Sequence, residues 1–182
     1  MKKKIIITGG LGYIGTELCK LYSGVSWHHK ITVIDNRFIS ERVNQLRNWD
    51  IEFVHGDILN KKLIEKYLSD ADVVHHLAGV TTVPRTKSES SQLQDDKIKL
   101  VGEKGTQNIL DVIKNDCKII FPSTHVVYEG INHVKTDIKE NEETKPVLSY
   151  STSKAVNEKQ LKKSGKKYVI LRLPQRPGAL KD

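Results

Sequence analysis

Helical and extended patterns alternate along the chain. Lys4 to Thr8 is a continuous apolar run that ends in glycines, as a parallel strand buried on both faces should. Helical spacing follows from Tyr13 to Tyr22. Lys30 to Asp35 reads as a second strand, Ile51 to His55 as a third and Asp72 to Leu77 as a fourth. Gln92 to Lys114 is helical by period, and Lys118 to Phe121 is a fifth strand. Ser149 to Lys163 is a further helix and Lys167 to Leu171 a sixth strand. This alternation predicts an α/β fold, a doubly wound parallel sheet of about six strands with helices on both faces.

A chain of 182 residues with 37% hydrophobic and 29% charged residues suits one folded domain. Residues 1–172 are expected to form it. Residues 173–182 are expected to be a short irregular tail, because Pro174 and Pro177 are poor strand residues. No apolar run approaches the ~20 residues of a membrane helix. Ile5 to Ile7 after the basic start is too short for the apolar region of a signal peptide and reads as a strand. Cys19 and Cys117 lie far apart and match no metal-ligand spacing; they read as reduced, small apolar groups, which points to the cytoplasm. The net charge of +8 raises nucleic acid as a partner. The lysines are scattered, however, and the one dense run, Lys159 to Lys167, reads as a solvated face. No aromatic stacking platform or recognised motif supports nucleic acid.

Thr8-Gly9-Gly10-Leu11-Gly12-Tyr13-Ile14-Gly15 joins the first strand to the first helix. Gly9, Gly12 and Gly15 let the backbone turn tightly and approach a pyrophosphate, and the helix opening at Tyr13 and Ile14 offers it N–H groups. Asp35 ends the second strand, where a carboxylate accepts hydrogen bonds from a ribose diol and repels a 2′-phosphate. That favours NAD over NADP; Arg37 nearby can soften the preference. Asp57, in Gly56-Asp57-Ile58, either contacts the adenine or caps the helical stretch that follows. Leu77-Ala78-Gly79 closes the fourth strand with small residues that leave room for a cofactor.

Tyr150 and Lys154 stand four residues apart, one turn apart on one helix face. An ammonium beside the phenol is expected to lower its pKa from near ~10 and ready it for proton transfer. Thr124, at the end of the fifth strand, is placed to hydrogen-bond the same substrate oxygen.

In this order the motifs resemble those of the extended short-chain dehydrogenase/reductases, in particular the NAD-dependent sugar-nucleotide epimerase/dehydratase family, with UDP-glucose/galactose 4-epimerases nearest. The motifs are the Gly9/Gly12/Gly15 turn, Asp35-Asn36, Gly56-Asp57-Ile58, His76-Leu77-Ala78, Ser123-Thr124 before Val127-Tyr128, and Tyr150 with Lys154. The likeness runs from Lys4 to about Gly178. It implies a Rossmann fold and an NAD that is reduced and reoxidised within one turnover. Tyr150 would be acid/base, Lys154 would hold the nicotinamide ribose, and Thr124 would orient a nucleotide-sugar hydroxyl. Asn36, Ile58, Leu77, Ala78 and Gly79 would line the cofactor, and Gln175 would meet substrate where an Asn is usual.

Three departures qualify the likeness. His125 and Val126 replace the Asp and Glu with which dehydratases eliminate water, which argues for an epimerase and against a dehydratase or a decarboxylase using that Glu. Gly102 replaces a usual Asn, so the helix there is expected to pack differently. The chain also stops where relatives continue into the lobe that grips the nucleotide-sugar. The competing expectation is therefore a truncated, weakly active or inactive NAD-binding module. Relatives dimerise through two helices, which here would be those near 92–114 and 149–163.

Overall fold

In the computed structural model, residues 2–80, 86–132 and 136–174 are described. The elements are β1 (Lys3–Thr8), α1 (Tyr13–Ser23), β2 (His29–Asp35), α2 (Ser40–Asn48), β3 (Glu52–His55), α3 (Lys61–Leu68) and β4 (Val73–His76). After these come α4 (Gln92–Lys99), α5 (Gly105–Val112), β5 (Lys118–Thr124), α6 (Ser149–Lys163) and β6 (Lys167–Leu173). The six strands form one parallel sheet in the order β3-β2-β1-β4-β5-β6. This is the doubly wound dinucleotide order, as the alternating pattern predicts.

β1 lies at the centre, and its side chains alternate between the faces. Ile5 and Ile7 enter a core with Cys19, Val33, Val43 and Leu46, under α1 and α2. Ile6 enters the opposite core with Ile64, Leu68, Ile109, Phe121 and Leu161, under α3, α5 and α6. An apolar run without polar breaks is therefore required here, because both faces are buried. The two cysteines are free and fully buried; burial pushes the Cys19 thiol up to about 12 and the Cys117 thiol up to about 11.

Four features differ from the sequence pattern. α2 was not expected: it carries only two buried apolar residues, Val43 and Leu46, too few to mark a period. The long helix from Gln92 is interrupted at Leu100–Lys104 by a π turn and ends at Val112. Gly102 sits in that turn, and its carbonyl, like that of Glu103, is taken up by α6 through the Asn157 and Gln160 amides, at 3.0 and 3.1 Å. β5 continues through Pro122 to Thr124. Its pairing with β4 ends at Ile120, so from there it has one neighbour, where a proline is tolerated. β6 extends alongside it to Leu173, so Leu173 belongs to the sheet rather than to a tail. Residues 175–182 lie outside the described residues.

Candidate active site

The C-terminal edge of a parallel sheet is where loops deliver side chains to a crevice. The glycine turn lies there. Gly9 has φ +71°, and a Cβ on it would stand 2.6 Å from the Ala78 nitrogen; a Cβ on Gly15 would meet the Gly10 backbone at 2.6 Å. Both glycines are therefore required by the fold itself. Gly12 differs: it caps α1 with extended backbone and no side-chain bond, so the first turn of α1 faces outward beside the exposed Tyr13 and Ile14. An added Cβ at Gly79 would meet nothing within 4 Å. Leu77 and Ala78 pack partly against the cores. An open rim at a helix N-terminus fits a pyrophosphate.

Asp35 is buried at the end of β2 and accepts a hydrogen bond from Leu11 N–H at 2.9 Å. It also accepts the backbone N–H of Arg37 at 3.0 Å and the forked Arg37 side chain at 3.2 Å on both oxygens. Asp57 accepts from Leu59 N–H and, at 3.0 Å, from the Asn36 side chain, so Asn36 and Asp57 meet as the motif spacing implies. Asp57 closes its own turn; Asn60 caps α3 by accepting from Leu63 N–H. The side chain of Ile58 is in the core, packed under Gly105, and does not line the rim.

At β5, Thr124 is buried and its hydroxyl accepts Val126 N–H at 3.3 Å, opening the 3-10 turn His125–Tyr128. Glu129 after that turn accepts the N–H groups of Val147 and Leu148, at 2.8 and 2.7 Å, and the Ser151 hydroxyl. It thus fastens the start of α6, whose cap residue Leu148 supplies no side-chain bond. One turn on, Lys154 Nζ donates to the Pro122 carbonyl at 2.9 Å, beside the Phe121 ring. Tyr150, Lys154 and the end of β5 are thereby brought together. One turn further, Glu158 is buried, accepts from Ser123 Oγ at 2.6 Å and is forked by Arg172. Neither Glu129 nor the Ser123–Glu158–Arg172 group was anticipated. The available signal was the four-residue ladder Tyr150-Lys154-Glu158.

The expected effect of Lys154 on Tyr150 is corrected by the structure. Burial raises the Tyr150 phenol above its usual value, and the same desolvation pulls the Lys154 ammonium down to about 8. Nζ lies 5.9 Å from the centre of the tyrosine ring and is bonded to Pro122, so desolvation outweighs attraction at the phenol. Behind the site His76 is wedged between Thr8 and Thr106, at 3.0 and 2.9 Å, and burial pulls its imidazole down to about 3. Beyond Thr124 a cavity of about 490 Å³ opens between His125, Tyr128, Lys139 and Arg172. Gln175 lies outside the described residues.

The glycine rim and Lys154 match the donor set a dinucleotide needs at its phosphates and second ribose. The Asp35 carboxylate, already filled by Arg37, is the one part that must rearrange. Residues 5–181 match the NAD dependent epimerase/dehydratase family. Among curated relatives, a UDP-N-acetyl-alpha-D-glucosaminuronate decarboxylase from Bacillus cytotoxicus is 33% identical, covering 70% of this chain and 38% of the relative. A putative UDP-glucose 4-epimerase from Methanocaldococcus jannaschii is 33% identical, covering 98% of this chain and 57% of the relative. A UDP-glucuronic acid 4-epimerase mutant from Bacillus cereus, solved with UDP-4-deoxy-4-fluoro-glucuronic acid and NAD, superposes with a TM-score of 0.77 at 29% identity. The match covers 93% of this chain and 55% of that one. The chain thus spans between 38% and 57% of these proteins' lengths.

Proposed function

On the premise that the chain belongs to the NAD-dependent epimerase/dehydratase family, we propose that it serves an NAD-dependent sugar-nucleotide epimerase reaction, with Tyr150, Lys154 and Thr124 as its acid/base set. The observation that carries the reading is the Lys154–Pro122 bond, which holds the Tyr150 helix against the end of β5, where Thr124 stands. When bound, NAD supplies the reversible hydride acceptance that oxidises and restores a sugar carbon.

The chain's own residues do the rest. Tyr150 takes the proton of the sugar hydroxyl as phenolate and returns it as phenol; burial, which raises the phenol, favours the protonated form and opposes the first of these roles. Lys154 keeps N–H groups beyond the Pro122 bond for the nicotinamide ribose, and the Thr124 hydroxyl orients the substrate oxygen. The glycine rim receives the pyrophosphate. His125 and Val126 follow Thr124 where an eliminating enzyme carries acids, which favours epimerisation over dehydration. The cavity beyond Thr124, lined by Lys139 and Arg172 and also by Glu129 and Glu140, is the place we assign to the nucleotide-sugar. The buried free cysteines suit a reducing compartment, and we place the protein in the cytoplasm.

A second reading, an NAD-binding module that binds substrate weakly by itself, is favoured by one observation. Tyr168 and Leu171, on opposite faces of the edge strand β6, are 41% and 43% exposed, so this edge leaves apolar side chains uncovered on both faces. A homodimer would use the exposed Leu93 on α4 and the exposed Leu100 at the start of the π turn that follows it; α6 turns Ala155 and Leu161 inward.

The test is to measure NAD binding and the interconversion of UDP-sugars for the chain and for Tyr150→Phe. Turnover that is lost with NAD affinity kept supports the reading. A variant as active as the parent removes Tyr150 from the chemistry, and NAD binding without turnover in the parent selects the module.

A further inference from the structure

The Asp35 carboxylate has no acceptor capacity left. Leu11 N–H, Arg37 N–H, Arg37 Nε and Arg37 Nη2 give it four hydrogen bonds, and a carboxylate has about four lone-pair sites. Asp35 is buried, whereas the Arg37 side chain is 53% exposed. The guanidinium turns Nε and Nη2 to Asp35 and keeps its other N–H groups for other partners. It also lies beside the cofactor turn, since a Cβ on Gly12 would stand 3.7 Å from Nη2. A second arginine, Arg42, donates to the Leu11 carbonyl in the same turn. The ribose end of the rim therefore presents a neutralised carboxylate flanked by two cations.

We propose that Arg37 makes this subsite accept a 2′-phosphorylated dinucleotide, so that the chain binds NADP as well as NAD. The inference rests on the cofactor reading above. With Arg37 in place, the repulsion Asp35 would exert on a 2′-phosphate is cancelled. The exposed edge of the guanidinium offers that phosphate charge-assisted N–H bonds in a planar geometry. A ribose diol reaches Asp35 only once Arg37 has swung away, a motion open to an exposed side chain. Arg37 therefore opposes NAD and assists NADP. Its removal moves the two affinities in opposite directions, which loss of a purely structural contact would not do.

The experiment titrates the whole chain separately with NAD and with NADP, by calorimetry and by the shift of the thermal midpoint, for the parent and Arg37→Ala. The expected parent ratio of dissociation constants, NADP to NAD, is below about ten. In Arg37→Ala it rises at least about tenfold, the worth of one charge-assisted contact, with NADP weakened and NAD tightened. A parent that binds NAD but has a ratio above about ten overturns the inference, as does a smaller rise in the variant. The parent ratio decides the matter even if the variant fails to fold. Binding of neither dinucleotide is a different failure, that of the cofactor reading, and takes this inference with it.

Discussion

Arg172 forks onto Glu158, with Nε 3.0 Å from Oε1 and Nη2 2.6 Å from Oε2, while Ser123 Oγ donates to the same carboxylate at 2.6 Å. This buried group ties β5, β6 and α6 together one turn beyond Lys154. Glu158→Gln leaves the arginine without its counter-charge and is expected to lower unfolding stability by about 3 kcal/mol, measured in urea. A loss below about 0.5 kcal/mol would show that the pair is not holding the helix.

The glycines of the turn divide into two kinds. Gly15→Ala presses a methyl onto the Gly10 backbone at 2.6 Å and is expected to destabilise by more than about 2 kcal/mol. Gly12→Ala, with φ −74° and a nearest contact at 3.1 Å, is expected to fold with less loss and to weaken NAD instead. Thermal midpoints with and without NAD separate the two effects. Equal midpoints for the two unliganded variants would contradict the division.

Acid should destabilise the fold from near neutrality downward. Burial holds His75 at about 4 and His76 at about 3 in the folded chain, against 6.5 for a free imidazole. Unfolding therefore takes up protons below 6.5, and each unit of separation is worth about 1.4 kcal/mol once titration is complete. Glu158 adds to this lower down: its carboxyl is held below its usual value of 4.5 with the Arg172 bonds as the lowering cause, against opposing burial. Its stabilisation is present above that value and lost as pH falls through the folded one. Denaturant midpoints between pH 7 and 4 check the trend, and a flat profile would mean the imidazoles are not shielded.

Glu129→Gln keeps the shape of the side chain but removes the charge that the α6 N-terminus faces. A loss of about 1 kcal/mol is expected, with faster hydrogen exchange at Val147 and Leu148. Unchanged exchange there would assign the start of α6 to other contacts.

Much of this molecule is legible as sequence because its strongest signals are local. The Ile5–Ile7 run, the glycine turn and the Tyr150–Lys154 spacing each declare themselves within a few residues. What escapes is set by pairs far apart in the chain. α2 shows only Val43 and Leu46 because the rest of that helix faces water. The extension of β5 through Pro122 depends on where β4 stops pairing, which the β5 residues do not record. Asp35 is evident from its place after β2, yet its saturation depends on how Arg37 folds back. The phenol of Tyr150 follows the same rule: spacing suggests a lysine effect, whereas burial decides the direction.

The centre of the sheet has a consequence for how the chain is assembled. β1 precedes the other strands of its sheet in sequence, but one of its two neighbours is β4, and the bond between Thr8 and His76 joins residues 68 apart in sequence. Because Ile5, Ile6 and Ile7 feed the cores on both faces, neither layer can close while that central slot is half paired. During synthesis β1 precedes β4, so it must wait until β4 has emerged before it is enclosed. In the finished fold the same strand makes the two layers melt as one unit, and its amides should be the last to exchange.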